Sequence, residues 1–421
     1  MKAIVSSEDA VRIPRRTTSI ASSVLVRAAV AILASLVLCS SLAAQTAPDR
    51  YHEKLQPVLE KLIQQQKLPG FAIAVVENNR IAHAHGFGVK NITRKDDPIT
   101  TRTLFHMCSI TKPFVATSIM QLVERGKIDL DKPVVTYLPD FRMADERYKT
   151  ITVRQMVTHT SGMPDVTTYE WDKPQYDEGA LERYVRSLTD RHLIFPPGKR
   201  YRYSNMAFEV LGDVIAKVSG ESFEDYVQHH ILTPLRMKDS TLLVKQADPK
   251  LLAWGHELNA DAKPFPSKVY PYNRMHSPSS DLHSNVLDMS RWAIANMNRG
   301  ELDGVRILKA PTYDVMWRPA GDFVRTGDVP ATANARPGIS WFLGDYRGDM
   351  LVWHNGSDTG FRSGLAMLPD QKIAVVWMTN ADWFRVGDDV TRAALDAALG
   401  LKPKPIEAKP PRKAKPSEIN P

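Results

Sequence analysis

Apolar residues recur in several rhythms along the chain, and each rhythm predicts a different element. Leu55, Val58, Leu59 and Leu62 repeat at the spacing of one helix face within residues 51–66. Phe71-Ala72-Ile73-Ala74-Val75-Val76 is instead a continuous apolar run, followed by polar Glu77-Asn78-Asn79-Arg80 and a mixed stretch to Val89, which predicts a strand, a turn and a second strand. From Phe114 to Val123 the apolar residues leave almost no polar side, so this helix belongs in a core, with Gly126 placed to end it.

The middle of the chain alternates helices with turns. Residues 151–162 predict a short helix closed by a turn. Phe195-Pro196-Pro197-Gly198 is a rigid turn that delivers a helix over 206–220, and a further helix covers 223–230. Residues 255–285, with four prolines, are polar and predict loops. A helix over 287–297 follows, capped by Ser284 and stopped by Gly300. Strands then return at 341–344, 350–354, 363–368 and 373–378, before a last helix over 390–399. Strands at both ends and helices between them predict an α+β fold: one central antiparallel sheet built from both chain ends, helices on its faces and a largely helical insertion.

Composition narrows the function classes. The 421 residues are 43% hydrophobic and 8% aromatic, as in an ordinary soluble protein with ample core. The net charge of +8 suggests nucleic acid until it is located. Residues 1–44 carry five basic against two acidic side chains and residues 402–421 six against two, which leaves the body near neutral and argues against a nucleic-acid partner. Arg27, the apolar run 28–39 and Ser41-Leu42-Ala43-Ala44 have the order of a signal peptide with a small-residue cleavage site. The run is too short to span a bilayer comfortably, and no later segment reaches that length. Leu38 before Cys39 speaks against a lipoprotein signal, and Thr17-Thr18 after Arg15-Arg16 against a twin-arginine one. The expected division is therefore a signal peptide (1–44), a folded domain (45–401) and a disordered Lys/Pro-rich tail (402–421), in an exported protein of the periplasm or exterior. Of two cysteines, Cys39 falls in the leader, so Cys108 would be left without a bridge.

The candidate chemistry sits at the start of the core helix. Ser109 and Lys112 are one turn apart, on one face if the stretch is helical. A serine hydroxyl is a poor nucleophile without a base, and a lysine becomes one when burial lowers its pKa. Ser109 is the single serine in the chain followed by lysine three residues on. Tyr203 and Asn205 lie on the loop entering the 206–220 helix, where a phenol can relay a proton and an amide can both donate and accept. His83 and His85 share a strand face, but no third metal ligand accompanies them. No G-x-S-x-G elbow surrounds any serine, so His159 and Ser161 are expected to make turn hydrogen bonds.

Three motifs in order carry a family resemblance over about residues 50–400. Ser109-Ile110-Thr111-Lys112, Tyr203-Ser204-Asn205 and His354-Asn355-Gly356 are similar to the three motifs of the serine hydrolase superfamily of class C β-lactamases, D,D-peptidases and penicillin-binding-protein-like esterases. Leu130-Asp131-Lys132-Pro133, Tyr137-Leu138-Pro139, Thr158-His159-Thr160-Ser161-Gly162 and Pro196-Pro197-Gly198 match as flanks. The resemblance implies that Ser109 attacks a carbonyl with Lys112 and Tyr203 sharing proton transfer, either as principal base. It implies that Asn205 holds the acyl side chain, that His354 and Gly356 line the substrate, and that the N–H groups of Ser109 and Ser357 form the oxyanion hole. No cofactor and no metal is implied. His354 departs from the lysine that opens the third motif in β-lactamases, which tilts the expectation toward an esterase or D-amino-acid peptidase. The expected partners are a small ester, a β-lactam or a peptidoglycan-like peptide. A β-lactamase, or a low-turnover peptidoglycan-binding or sensor module, is the alternative.

Overall fold

The computed structural model describes residues 50–321, 335–407 and 410–411. The expected signal peptide lies outside them, as does most of the expected tail. Its described residues, 402–407 and 410–411, have no regular structure, and Ile406 packs against the apolar cluster that includes Leu59 and Leu62.

At the N-terminal end of the chain lie β1 (Gly70–Glu77), β2 (Arg80–Asn91) and β3 (Arg94–Pro98). A small ribbon pairs β4 (Phe105–His106) with β5 (His283–Ser284). The C-terminal end supplies β6 (Arg336–Pro337), β7 (Phe342–Tyr346), β8 (Asp349–Asp358), β9 (Phe361–Leu368) and β10 (Ile373–Thr379). Among the described residues one eight-stranded sheet runs β6-β7-β8-β9-β10-β1-β2-β3. The chain ends meet where β1 pairs antiparallel with β10, Ala74 opposite Val376. This is the α+β architecture expected from the apolar pattern, and the β-lactamase/transpeptidase-like fold that the resemblance of the three motifs implies.

The unbroken run Phe71–Val76 follows from that position. A strand in mid-sheet has a layer on each face, so period-two alternation disappears. Ala72, Ala74 and Val76 join the core under the insertion, whereas Phe71, Ile73 and Val75 join the core under the two terminal helices. Those helices are α1 (Gln56–Gln66) and, at the other end, Gly387–Ala398. Each fully buried aliphatic side chain here contributes about 1.5–3 kcal/mol.

The insertion supplies α2 (Lys112–Glu124), α3 (Val153–Val157), α4 (Asn205–Ser219), α5 (Ser277–Ser280) and α6 (Val286–Met297), and the Gly387–Ala398 helix becomes α7. Three expectations change in detail. The cap of α6 is Asn285, whose Oδ1 accepts from the N–H groups of Leu287 and Asp288, while Ser284 is drawn into β5. The helix at 223–230 is α-helical only over Phe223–Val227 and then widens into a π turn, Gln228–Leu232. Residues 272–285, expected as loop, form a buried polar wall behind α2. Asn273, Arg274, Ser279 and Ser280 there bond other buried groups, while Ser277, Asp281 and His283 carry buried polar atoms without a hydrogen-bond partner.

Candidate active site

The serine is presented by a tight turn. Cys108–Thr111 is 3₁₀-helical and runs into α2, so Ser109 stands one turn before the helix proper and Lys112 at its first position. Cys108 holds φ at +53°, a conformation that costs a non-glycine residue on the order of 1 kcal/mol and marks a backbone held by its surroundings. Thr111 Oγ1 donates to the Cys108 carbonyl at 2.7 Å and accepts from Leu282 N–H at 3.0 Å, which ties the turn to the buried wall.

Lys112 has no solvent exposure, and Ser109 is 7% exposed. Lys112 Nζ lies 3.0 Å from Ser109 Oγ and donates to the Ser279 carbonyl at 2.8 Å. It also sits 4.9 Å above the Tyr203 ring. Burial pushes its pKa down to about 8, against the carboxylates of Glu209, Asp165 and Asp358, which hold the ammonium form. An amine in this state can accept a proton near neutral pH.

Tyr203 arrives on the extended segment before α4. Ser204 caps that helix, its Oγ accepting from Ala207 N–H at 3.1 Å and donating to the Pro164 carbonyl at 2.7 Å. Burial drives the Tyr203 phenol well above its ordinary pKa, and nearby Ser109 opposes this. The hydroxyl has no hydrogen-bond partner in place, so it approaches the serine without yet bonding it. His159 stacks on Tyr203 with ring centroids 4.2 Å apart. Its Nδ1 accepts from Ser204 N–H at 3.2 Å, which leaves the proton on Nε2. Burial first, then Lys112 and His354, keep His159 neutral. Its turn role matches the expectation, with φ at +56°. Asn205 binds Asp165 through both its main-chain N–H (2.8 Å) and its amide Nδ2 (3.3 Å).

The third motif lies on β8, which extends past the predicted strand to Asp358. Gly356 explains how the strand approaches the nucleophile turn: a Cβ there would lie 2.4 Å from the Met107 carbonyl and 2.9 Å from Cys108 Cβ. His354 is buried, with Nδ1–H donating to the Asn355 carbonyl at 2.7 Å. Its Nε2 therefore keeps a lone pair, and burial together with Lys112 pulls the imidazole pKa down to about 3. Ser357 accepts through Oγ from Arg362. The structure thus gathers Ser109, Lys112, Tyr203 and Gly356 around one turn, and places His354 within electrostatic reach of Lys112.

Several residues in this neighbourhood carried no motif. His106 Nε2–H donates to Asp358 Oδ2 at 3.0 Å, and Ser280 Oγ donates to the same oxygen. That pair joins the strand before Ser109 to the strand carrying the third motif. Glu209, Ser279 and His276 stand behind Lys112. The signal for Glu209 was present as a carboxylate between Phe208 and Val210 in an apolar helix, where an unpaired charge is costly. Among the described residues the one group of three donors close enough for a metal ion is His106, Cys108 and Asp358. The histidine and the carboxylate already bond each other, and burial pushes the Cys108 thiol well up, so the group is suited to hydrogen bonding. His83 and His85 stack their rings 6.3 Å apart on β2.

The chain is similar to several known proteins. Residues 55–399 match the family model described as Beta-lactamase. Protein flp of Staphylococcus aureus (strain MW2) is 27% identical over 330 residues, covering 78% of this chain and 63% of that protein, so the chain spans less than two thirds of that relative's length. Penicillin-binding protein 4 of Amycolatopsis lactamdurans is 27% identical over 379 residues, covering 88% of this chain and 96% of that protein. Among solved structures, the octameric penicillin-binding protein homologue from Pyrococcus abyssi superposes with a TM-score of 0.70 at 26% identity, over 83% of this chain and 77% of that one.

Proposed function

Because the chain belongs to the beta-lactamase family, whose members are serine hydrolases, we propose that it is an exported hydrolase working through an acyl-serine on an ester or amide, of the esterase or D-amino-acid peptidase type. The observation that carries the reading is a fully buried Lys112 with Nζ 3.0 Å from Ser109 Oγ. Ser109 Oγ attacks the carbonyl carbon while its proton passes to Lys112. Lys112 takes this role because its pKa is lowered to about 8, whereas burial makes the Tyr203 phenolate unfavourable. The C–O or C–N bond then breaks as the departing alcohol or amine takes a proton from Tyr203, which is refilled from Lys112. Water repeats the sequence on the acyl-serine. The main-chain N–H groups of Ser109 and Ser357 are assigned to the oxyanion, a role in which losing one donor typically costs on the order of a hundredfold or more. Asn205 is assigned to the acyl side chain. His354 is uncharged and gives a substrate carboxylate no cation, which supports esters and amides over penicillins as good substrates. Export rests on the apolar run 28–39 with its small-residue flank.

Treating the purified protein with a fluorophosphonate and with a fluorescent penicillin, then mapping the adduct by mass spectrometry, tests the reading. The label is expected on Ser109 and absent from Ser109→Ala, and p-nitrophenyl esters are expected to turn over faster than nitrocefin. Labelling at another residue, or none, overturns the assignment; faster nitrocefin turnover makes the protein a β-lactamase.

A further inference from the structure

Behind Lys112 the buried wall holds a carboxylate with no part in the steps above. Glu209 lies on α4 one turn after Asn205, so the helix aims both at the same side. Its side chain has no solvent exposure. Oε1 accepts from Ser279 Oγ at 2.6 Å and from His276 Nδ1–H at 3.1 Å, while Oε2 has no partner. The same Ser279 offers its carbonyl to Lys112 Nζ at 2.8 Å. One residue of α5 therefore binds the ammonium through its main chain and the carboxylate through its side chain.

We infer that Glu209, held by Ser279 and His276, is a positioning residue that fixes the charge state of Lys112 and so the pH at which Ser109 is activated. A buried carboxylate without a partner cation is costly, as is a buried ammonium without an anion. Each is the other's compensation across Ser279. The remaining charges facing Lys112 are otherwise engaged: Asp165 by Asn205, and Asp358 by His106 and Ser280. Cys108 is a buried thiol, and Tyr203, His159 and His354 are neutral rings that supply no negative charge. On the far side Glu209 faces Tyr184 and Asp281, and burial and neighbouring carboxylates push the Asp281 pKa well above its ordinary value. Among the carboxylates opposing desolvation of Lys112, Glu209 exerts the largest effect.

The inference rests on Ser109 and Lys112 performing the chemistry, and the test separates the two. The pH dependence of kcat/KM for p-nitrophenyl butyrate is measured on the full protein, Glu209→Gln, Glu209→Asp and Ser279→Ala. Removing the carboxylate charge removes what favours the ammonium, so the Lys112 pKa falls and the acid limb of Glu209→Gln moves to lower pH, by about one unit. Glu209→Asp, which keeps the charge, returns the limb toward the parent value. Ser279→Ala leaves the carbonyl and the carboxylate in place but removes a donor to Glu209, which raises its proton affinity and moves the limb the same way by less. It carries the test should Glu209→Gln not fold. A purely structural role lowers kcat at every pH with the limb unmoved, and that result overturns the inference. If the parent protein shows neither a fluorophosphonate adduct on Ser109 nor an acid limb, it is the proposed function that fails.

Discussion

Lys112 Nζ and Ser109 Oγ stand 3.0 Å apart with the lysine completely buried, and this burial opposes stability. Burial lowers the lysine pKa from 10.5 to about 8. The unfolded chain therefore binds more protons than the folded one between those values, so the cost is full below pH 8 and fades as pH rises toward 10.5. A shift of that size corresponds to about 3 kcal/mol. Replacing both charges, in Lys112→Met/Glu209→Gln, is expected to abolish ester hydrolysis while stabilising the fold at pH 7 by on the order of 1–3 kcal/mol, whereas Lys112→Met alone leaves Glu209 without its compensating cation. Urea unfolding of the parent and the double variant at pH 7 and pH 10 measures it. The difference should shrink at the higher pH; a double variant less stable than its parent at pH 7 contradicts the argument.

The third motif makes a separate prediction about substrates. His354 donates from Nδ1 to the Asn355 carbonyl and carries no charge at neutral pH, since its pKa falls to about 3. His354→Lys would place an ammonium where β-lactamases of this type have one. The ratio of kcat/KM for nitrocefin, which bears a carboxylate, to that for p-nitrophenyl butyrate is expected to rise about tenfold, equivalent to roughly 1.4 kcal/mol of transition-state discrimination. The new charge would also repel the Lys112 ammonium, so the acid limb of ester hydrolysis moves to lower pH. An unchanged ratio shows that the charge at this position does not select the substrate.

The parts of this protein that were legible in its sequence are those with a strong local cause. Phe71–Val76 is apolar because it lies in mid-sheet, and Phe114–Val123 because α2 is surrounded, so both elements announced themselves. Ser109 and Lys112 were singled out by spacing, and Tyr203 and Asn205 by their place at the entry to α4. Asn205 and Ser204 both sit at the start of that helix, where a cap and a positioned amide are equally at home. What escaped was long-range polar pairing. Ser279 and Glu209 are 70 positions apart and look like a loop serine and a stray helix charge until the fold sets Ser279 between Glu209 and Lys112. His106 and Asp358 meet across 252 positions. Residues 272–285 have the composition of an exposed loop but are buried, with Arg274, Ser279 and Ser280 bonded inside the protein. The Ser284 cap failed for a related reason, since Asn285 is one residue closer and its amide reaches two N–H groups at once.

Gly356 gives the sharpest steric prediction. β8 can lie against the nucleophile turn only because position 356 has no side chain: a Cβ would sit 2.4 Å from both the Met107 carbonyl and Ser363 Oγ, and 2.9 Å from Cys108 Cβ. Ser363 Oγ also donates to that same Met107 carbonyl at 2.7 Å, so neither atom can withdraw without breaking the contact that ties β9 to the turn. Gly356→Ala must therefore separate β8 from Met107 and Cys108 by several tenths of an ångström, widening the gap between the N–H groups of Ser109 and Ser357. Misplacement on that scale is expected to lower kcat for p-nitrophenyl butyrate about a hundredfold while leaving KM nearly unchanged, because the lost contacts form only as charge develops on the substrate oxygen. Overpacking should cost about 1–3 kcal/mol of stability as well. Steady-state kinetics and urea unfolding of the variant check both quantities. A fold destabilised to this degree with kcat intact would remove the β8 main chain from the oxyanion hole.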